Sequence, residues 1–266
     1  MHPARDRRLA ARARGWLART LDWRPVRWMQ LGSAQQAWYL RRLLPLLQID
    51  LVVDAGANLG QFSALLRGKV GYRGAILSVE PIPAAARALR ARFSADGRWA
   101  LCECALGERD GRAALHVMRG HELSSLLAPS VAATDRFEAF QAIEGKVDVR
   151  LTTLDALLDA HPLARAARHV YLKLDVQGME LAVLRGAARS LPRIDALQVE
   201  ACVVPLYEGV PPYHVLMAEI EARGYQLSFL PAHNYTQMPD MVDFDSHFVA
   251  RRRLVELGYL NPRPAP

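Results

Sequence analysis

Short apolar runs alternate along the chain with stretches of amphipathic character. The runs are typical of parallel strands buried on both faces, and the stretches between them have the three-to-four-residue apolar spacing of helices. The pattern predicts strands at residues 49–54, 75–80, 99–105, 169–176 and 194–201, and helices at 34–44, 59–67, 84–93 and 178–191. This order predicts an α/β fold with a doubly wound, Rossmann-like, mostly parallel sheet.

Two parts of the chain depart from simple alternation. Residues 111–118 and 145–154 look extended and flank a loop at 119–130. We expect this insertion near the edge of the sheet where ligands bind. The C-terminal part predicts a helix ended by a glycine and then an antiparallel closing pair of strands, at residues 211–225, 226–230 and 245–251.

The positive charge is concentrated at the N-terminus. Residues 1–30 hold eight arginines against two aspartates, which gives +6 of the net charge of +7. From Arg5 to Leu21 the pattern predicts a helix whose apolar arc lies beside the arginines and consists of Leu9, Ala13, Trp16, Leu17 and Leu21. Such a helix can lie in the interface of an anionic membrane, pack on its own domain, or stay disordered. We therefore divide the chain into a basic helical extension, one α/β domain and a tail, at residues 1–48, 49–253 and 254–266.

The composition suits one large domain with a buried core, because 51% of the 266 residues are hydrophobic. No apolar run approaches the roughly 20 residues that span a bilayer, and the N-terminus lacks the apolar centre of a secretory signal. The cysteines at 102, 104 and 202 have neither a disulfide framework nor zinc-finger spacing, and they fit small core residues. We expect a cytoplasmic protein, either soluble or peripheral on the inner membrane surface.

A glycine loop follows the first strand. The sequence Asp54-Ala55-Gly56-Ala57-Asn58-Leu59-Gly60 is D-x-G-x-x-x-G and not the G-x-G-x-x-G that binds a dinucleotide pyrophosphate. A carboxylate at Asp54 would oppose a pyrophosphate but would attract the α-ammonium group of S-adenosylmethionine. Gly56 and Gly60 allow the backbone to approach a ligand, and we include Asn58, between them, among the predicted cofactor contacts.

Glu80 ends the second strand, twenty positions after Gly60. An acidic residue there can accept hydrogen bonds from both ribose hydroxyls of a nucleotide cofactor, a feature that nicotinamide enzymes share. Ala105 and Leu106, at the end of the third strand, would lie beside the adenine. The alternative is a tight turn followed by a surface glutamate. Together with the glycine loop, Glu80 indicates S-adenosylmethionine as the cofactor.

Several sequence blocks occur in the order typical of one enzyme family. They are VVDAGANLGQFS, VEPIP, CALGERDGRAALHV, SSLL, LKLDVQGMELAVLRGA, LQVEA and LYEGVPPY. From about residue 49 to residue 251 the chain resembles the FkbM-like family of S-adenosylmethionine-dependent methyltransferases. The resemblance implies a class I methyltransferase fold and methyl transfer, most often to oxygen and frequently on a sugar or polyketide hydroxyl. The chain departs from the D-x-E-G of many members, because it has Asp175-Val176-Gln177-Gly178.

Methylation of an alcohol requires a group that accepts its proton, and such a base typically contributes 10²- to 10⁴-fold in rate. Asp175 ends the fourth strand and Glu200 lies near the end of the fifth, so both would open into the same crevice. We predict these two as base and acceptor-orienting residue, with His121 of the inserted loop as a third candidate. Asp175 is also included among the predicted cofactor contacts. Asp175 could instead cap the following helix, and Glu200 could be a structural acid. A Mg²⁺ site would need a third ligand that is not evident, so we predict no metal.

The predicted function is O-methylation of a hydroxyl on a sugar, a glycan or a related natural product. N-methylation, another use of the same cofactor fold, or a non-catalytic cofactor-binding scaffold are the alternatives. We expect a small-molecule or glycan acceptor and no nucleic acid, because no Asn- or Asp-Pro-Pro-aromatic run follows the fourth strand. The N-terminal helix could contact an anionic membrane peripherally, and the oligomeric state is left open.

Overall fold

The computed structural model describes residues 31–130, 140–232 and 241–261, and within them two sheets form the framework of the protein. The strands are β1 (Leu51–Ala55), β2 (Ala75–Val79), β3 (Trp99–Cys102), β4 (Ala105–Leu106), β5 (Gly111–Met118), β6 (Ile143–Thr152), β7 (Val170–Leu174), β8 (Ile194–Cys202), β9 (Tyr225–Phe229) and β10 (Asp243–Ala250). The helices are α1 (Leu31–Leu46), α2 (Gln61–Leu65), α3 (Pro83–Phe93), α4 (Leu154–Ala160), α5 (Pro162–Ala166), α6 (Glu180–Arg185), α7 (Tyr213–Ala222) and α8 (Arg251–Glu256).

The central sheet has the order β3-β2-β1-β7-β8-β10-β9. Its first five strands are parallel, whereas β10 runs antiparallel to both of its neighbours, β8 and β9. This confirms the predicted Rossmann-like sheet with an antiparallel closing strand. The strand order reverses between β1 and β7, and a ligand crevice is expected there, outside the carboxyl ends of the parallel strands.

Both faces of the central sheet are buried, as the continuous apolar runs predicted. On one face Leu51 and Val53 of β1 belong to a cluster that includes the buried apolar residues of α4, α6 and α7. On the other face Val52 packs with Phe62 and with the apolar side of α1, through Ala37, Leu40, Leu43 and Leu44. Successive residues of one strand thus anchor opposite helical layers.

The third predicted strand is shorter in the structure than in the prediction. The strand predicted at 99–105 ends at Cys102, because the chain turns where the amide of Cys104 donates to the carbonyl of Cys102 at 3.2 Å. Ala105 and Leu106 then pair with β6 in a separate three-stranded sheet of order β4-β6-β5. The two extended segments flanking the insertion are β5 and most of β6.

The helix predicted at 59–67 begins at Gln61, because Gly60 has a left-handed backbone (φ 81°) that ends the loop. It continues as a π-helical turn over Leu66–Val70. Near the N-terminal end of the described part, α1 extends one residue beyond Pro45. The predicted helix at 5–21 lies outside the described residues. None of the described helices is both long and apolar enough to cross a membrane.

Candidate active site

A cavity of about 260 Å³ lies at the carboxyl ends of β1, β2, β7 and β8, where the sheet order predicted a crevice. The insertion after β5 contributes to its wall, as expected from its position in the chain. Most of the predicted site residues are brought together here, namely Gly56, Asn58, Glu80, Ala105, Leu106, His121, Asp175 and Glu200. Their roles as cofactor contacts or catalytic groups stay predictions.

Gly56 makes the close approach of two strand ends sterically feasible. Its backbone is left-handed (φ 78°), and a Cβ built there would lie 1.7 Å from the carbonyl oxygen of Asp175. Asn58 is also left-handed (φ 46°), a conformation that asparagine tolerates better than most residues. In this conformation its backbone amide points to the next strand and donates to Oε2 of Glu80 at 2.8 Å.

Glu80 is fixed at the end of β2 by backbone donors on both of its oxygens. Besides Asn58, the amide of Ile82 donates to Oε1 at 2.9 Å. Burial raises the pKa of this carboxyl, and the two amide donors act in the opposite direction. Each carboxylate oxygen can accept a further hydrogen bond, and the role of Glu80 as a ribose contact stays a prediction.

Asp54 and Gly60 are not among the residues that line the cavity, and their roles as cofactor contacts stay predictions. Asp54 is completely buried, and its Oδ2 accepts from the hydroxyl of Ser63 at 3.1 Å. A Cβ on Gly60 would lie 2.5 Å from the ring of Phe93, so this glycine allows α3 to pack against the loop. The pleat of β1 directs the side chain of Asp54 into the core, and the packing of α3 covers Gly60. Both residues therefore lie behind the cavity wall.

Lys173 is a charged residue of the site that the sequence reasoning missed. It lies on β7, and its Nζ is 3.7 Å from Oδ1 of Asp54 and 2.9 Å from Oδ2 of Asp175. Burial lowers the pKa of Lys173, but the carboxylates of Asp175 and Asp54 together raise it above the ordinary value. The available signal was a lone lysine inside an otherwise apolar strand, since such a residue needs a buried counter-charge.

Asp175 and Glu200 lie on either side of one side-chain amide. Nε2 of Gln177 donates to Oδ1 of Asp175 at 2.7 Å and to Oε2 of Glu200 at 2.6 Å. Asp175 does not cap the next helix; Glu180 accepts instead from the amides of Val176 and Gly178 at 3.0 and 3.3 Å. The amide therefore links the two acids that were predicted to share the crevice.

The two acids have opposite electrostatic environments. Burial would raise the pKa of Asp175, but Lys173 and the hydrogen bond from Gln177 hold it below its usual range. The pKa of Glu200 is raised well above its usual range by burial first, and then by neighbouring carboxylates. Of the two, Asp175 is the ionised partner of a lysine, and Glu200 has the higher affinity for a proton.

The insertion after β5 closes over this acid pair. Ser125 is buried, and its hydroxyl donates to the backbone carbonyl of Gln177 at 2.6 Å. Ser124 accepts from the amide of Met118 at 3.1 Å and so serves the turn. His121 is exposed on a 3₁₀ turn (His121–Leu123) whose residues line the cavity. The hydroxyl of Tyr207, which follows β8, contacts Oε1 of Gln177 from above the acid pair.

The sheet order, with one antiparallel strand between β8 and β9, is Rossmann-like, and the carboxylate that follows β2 beside a glycine loop is typical of a nucleotide-cofactor site. The model of the FkbM methyltransferase domain matches residues 54–227, and the chain belongs to this family. The protein is therefore an S-adenosylmethionine-dependent methyltransferase with a methyl acceptor. A comparison with curated protein sequences finds no match.

Solved methyltransferase structures resemble the chain only distantly. A putative O-methyltransferase from Klebsiella pneumoniae is 12% identical over 89% of this chain and 95% of that one, with a TM-score of 0.45. Fibrillarin from Aeropyrum pernix with bound S-adenosyl-L-methionine is 12% identical over 82% and 76%, with a TM-score of 0.44. Magnesium protoporphyrin IX methyltransferase from Synechocystis PCC 6803 is 8% identical over 85% and 86%, with a TM-score of 0.44. The family assignment rests on the domain match.

Proposed function

We propose that the protein methylates a hydroxyl oxygen on a sugar, a glycan or a related natural product, with Glu200 as the general base. The observation that carries this proposal is the environment of Glu200, whose pKa is raised in the wall of the cavity. An alcohol must lose its proton as its oxygen is methylated, and a carboxylate of raised pKa is a stronger base for that transfer than an ordinary one. An acceptor that is already a nucleophile would not need such a group.

The residues of the cavity fit S-adenosylmethionine as methyl donor. Glu80 would receive the ribose hydroxyls, and Gly56 and Asn58 would leave room for the amino-acid end. Ala105 and Leu106 would lie against the adenine. When bound, the sulfonium supplies an electrophilic methyl carbon, and the electrons of the broken carbon–sulfur bond return to sulfur as the carbon–oxygen bond forms. Glu200 takes the hydroxyl proton, and Asp175, held by Lys173, orients the acceptor.

The charge of the cavity supports an acceptor other than nucleic acid. Its described wall contains five acidic side chains, Glu80, Glu122, Asp175, Glu200 and Asp243, of which Asp175 is paired with Lys173 behind the wall. Among the described lining residues there is no lysine or arginine. Nucleic-acid sites neutralise phosphates with basic side chains, so an acidic wall disfavours a polyphosphate acceptor. The same wall suits the net positive charge of the donor.

The proposed function predicts a loss of one methyl group, on oxygen, from a glycan or lipid-linked glycan when the gene is deleted. Mass spectrometry of glycans and lipids from deletion and wild-type cells measures this loss, and the wild-type gene should restore the methyl group.

Calorimetry with S-adenosylhomocysteine supplies the control for the cofactor site: Glu80→Ala should weaken binding by about 1–3 kcal/mol, because two hydrogen bonds are lost. Methylation found only on nitrogen or on RNA would contradict the proposal.

We also propose that residues 5–21 bring the enzyme to an anionic membrane surface, supported by the +6 charge of residues 1–30. Attraction of roughly 1 kcal/mol per basic residue near such a surface would give reversible binding. In liposome co-sedimentation, binding should require anionic lipid, weaken as salt rises, and disappear when residues 1–30 are deleted, while S-adenosylhomocysteine binding persists. If the full-length protein does not bind anionic liposomes at low salt, the proposed membrane contact is wrong.

A further inference from the structure

Glu200 accepts a hydrogen bond from Gln177, and the side chain of Gln177 in turn accepts one from Tyr207. Gln177 donates to Oε2 of Glu200 through Nε2, and its Oε1 accepts from the hydroxyl of Tyr207. Tyr207 is 1% exposed and Gln177 is 8% exposed, so water contributes little to this contact. The single hydroxyl proton of Tyr207 has one other acceptor, the carbonyl of Leu123, at the longer distance of 3.1 Å.

The amide of Gln177 has one orientation that satisfies all of its partners. In it, the amide nitrogen faces the two carboxylates, at 2.7 Å from Asp175 and 2.6 Å from Glu200, and the carbonyl faces the phenol. Rotation by 180° would place the carbonyl oxygen against two acids and the amide nitrogen against a donor. Because Tyr207 donates, it stabilises the first orientation over the second.

The backbone of Gln177 is also fixed by a neighbouring side chain. It adopts a left-handed conformation (φ 52°) that is unfavourable for a side chain of this size, and the hydroxyl of Ser125 donates to its carbonyl at 2.6 Å. Non-glycine residues persist in this region where surrounding contacts impose it, frequently at functional sites. The chain thus supports the backbone of Gln177 from one side and its amide from another, at the position where many family members have glutamate.

We propose that Tyr207 and Gln177 are positioning residues for Glu200: the phenol holds the amide in the orientation that donates to Glu200 and so keeps this carboxylate in place to take the acceptor proton. An ionised glutamate at position 177 could not do this, because it has no hydrogen to donate and would add a third acceptor beside Asp175 and Glu200. That Glu200 takes the acceptor proton rests on the proposed function, whereas the hydrogen bonds from Tyr207 to Gln177 and from Gln177 to Glu200 do not.

The groups that face Glu200 determine the sign of the effect. They are Asp175, Glu180, Cys202, Tyr207, Asp243 and Asp245. Burial and the carboxylates among them raise the pKa of Glu200, and burial also raises that of Tyr207, which therefore remains a donor. The bond from Gln177 favours the ionised form of Glu200. Losing that bond should raise the pKa of Glu200 further.

Infrared titration of the full-length protein tests this without an acceptor, because the carbonyl stretch of a protonated carboxyl is separate from that of a carboxylate. Glu200→Gln identifies the band that belongs to Glu200. In Tyr207→Phe, the protonation midpoint of that band should rise by about one pH unit, the equivalent of one charge-assisted hydrogen bond. Gln177→Met, which removes the amide at similar size, should raise it at least as much, and it decides the question alone if Tyr207→Phe fails to fold.

Tyr259→Phe is the matched control, since Tyr259 is 64% exposed and lies outside the cavity wall. Its midpoint should equal that of the wild type. Equal midpoints in wild type, Tyr207→Phe and Gln177→Met would overturn the inference, as would a wild-type protein in which Glu200 has no titrating band. The rate–pH profile should shift by the same amount on its acid side. If no O-methylated product is found although the infrared shift occurs, the positioning inference stands and the proposed reaction fails.

Discussion

Replacing Glu200 with glutamine is expected to lower the rate of methyl transfer on the order of 10²-fold or more, while the affinity for S-adenosylhomocysteine stays within a few-fold. The substitution preserves size and removes the one group in the acid pair that has a raised pKa. Cofactor contacts are predicted at Gly56, Asn58 and Glu80, which follow β1 and β2 and not β8, so binding should persist. The measurement is transfer of labelled methyl to the acceptor identified by the product comparison, with calorimetry on the same preparations.

The pH dependence follows from the same assignment. A base must be unprotonated to act, so the rate should rise with pH through the raised pKa of Glu200 and level off above it. Glu200→Gln should lack this rise. If the variant turns over at the wild-type rate with the same profile, Glu200 is not the base, and His121 becomes the first substitute because it also lines the cavity.

Asp175→Asn provides a contrast to the loss of the base. Asp175 lies 2.9 Å from Lys173, and the pKa of its carboxyl is lowered, which makes it a weak base. Its substitution should therefore remove the ion pair with Lys173 and leave that lysine less well held. It should lower activity as well. Glu200→Gln should affect activity alone. The sequence placed both acids at strand ends, and their electrostatic surroundings distinguish them.

The main features of the sheet could be predicted because each depends on a local pattern. Continuous apolar runs identify strands buried on two faces, and the acids at 54, 80 and 175 mark where those runs end. The ends of parallel strands meet at one edge, so a shared crevice follows from topology alone. The separate small sheet was not predicted, because the turn between Cys102 and Cys104 interrupts an apparently continuous run.

Features that depend on side-chain direction and distant contacts were not predictable in this way. The strand pattern shows that Asp54 ends an apolar run, but whether its carboxylate faces the cavity or the core depends on how β1 pairs with β7, where Lys173 is its register partner. The contact of Tyr207 with Gln177 joins residues 30 positions apart through two loops. The sequence does not indicate which hydrogen-bond partner Tyr207 has.

Lys173→Met is expected to reduce the free energy of unfolding by about 3–5 kcal/mol at neutral pH, because it leaves the completely buried Asp54 without its cation. The unbranched methionine fills similar space, so the loss should reflect charge more than packing. Chemical denaturation of wild type and variant measures it. Lys69→Met, at an exposed lysine, is the matched control and should change stability by less than about 0.5 kcal/mol.

The loss caused by Lys173→Met should also depend on pH in a defined direction. In the wild type burial raises the pKa of Asp54 although Lys173 acts in the opposite direction, whereas the pKa of Asp175 is lowered. The ion pair of Lys173 with Asp175 therefore stabilises the fold above the unfolded-state pKa, and the stabilisation is lost as the pH falls through the lowered value. Without the lysine, Asp54 and Asp175 should take up protons more readily in the folded state than in the unfolded state. The difference between the two proteins should therefore be largest near neutral pH and should shrink as the pH falls toward about 4. A constant difference between pH 7 and pH 4 would mean that Lys173 contributes through packing, and the ion-pair account of the site would fail.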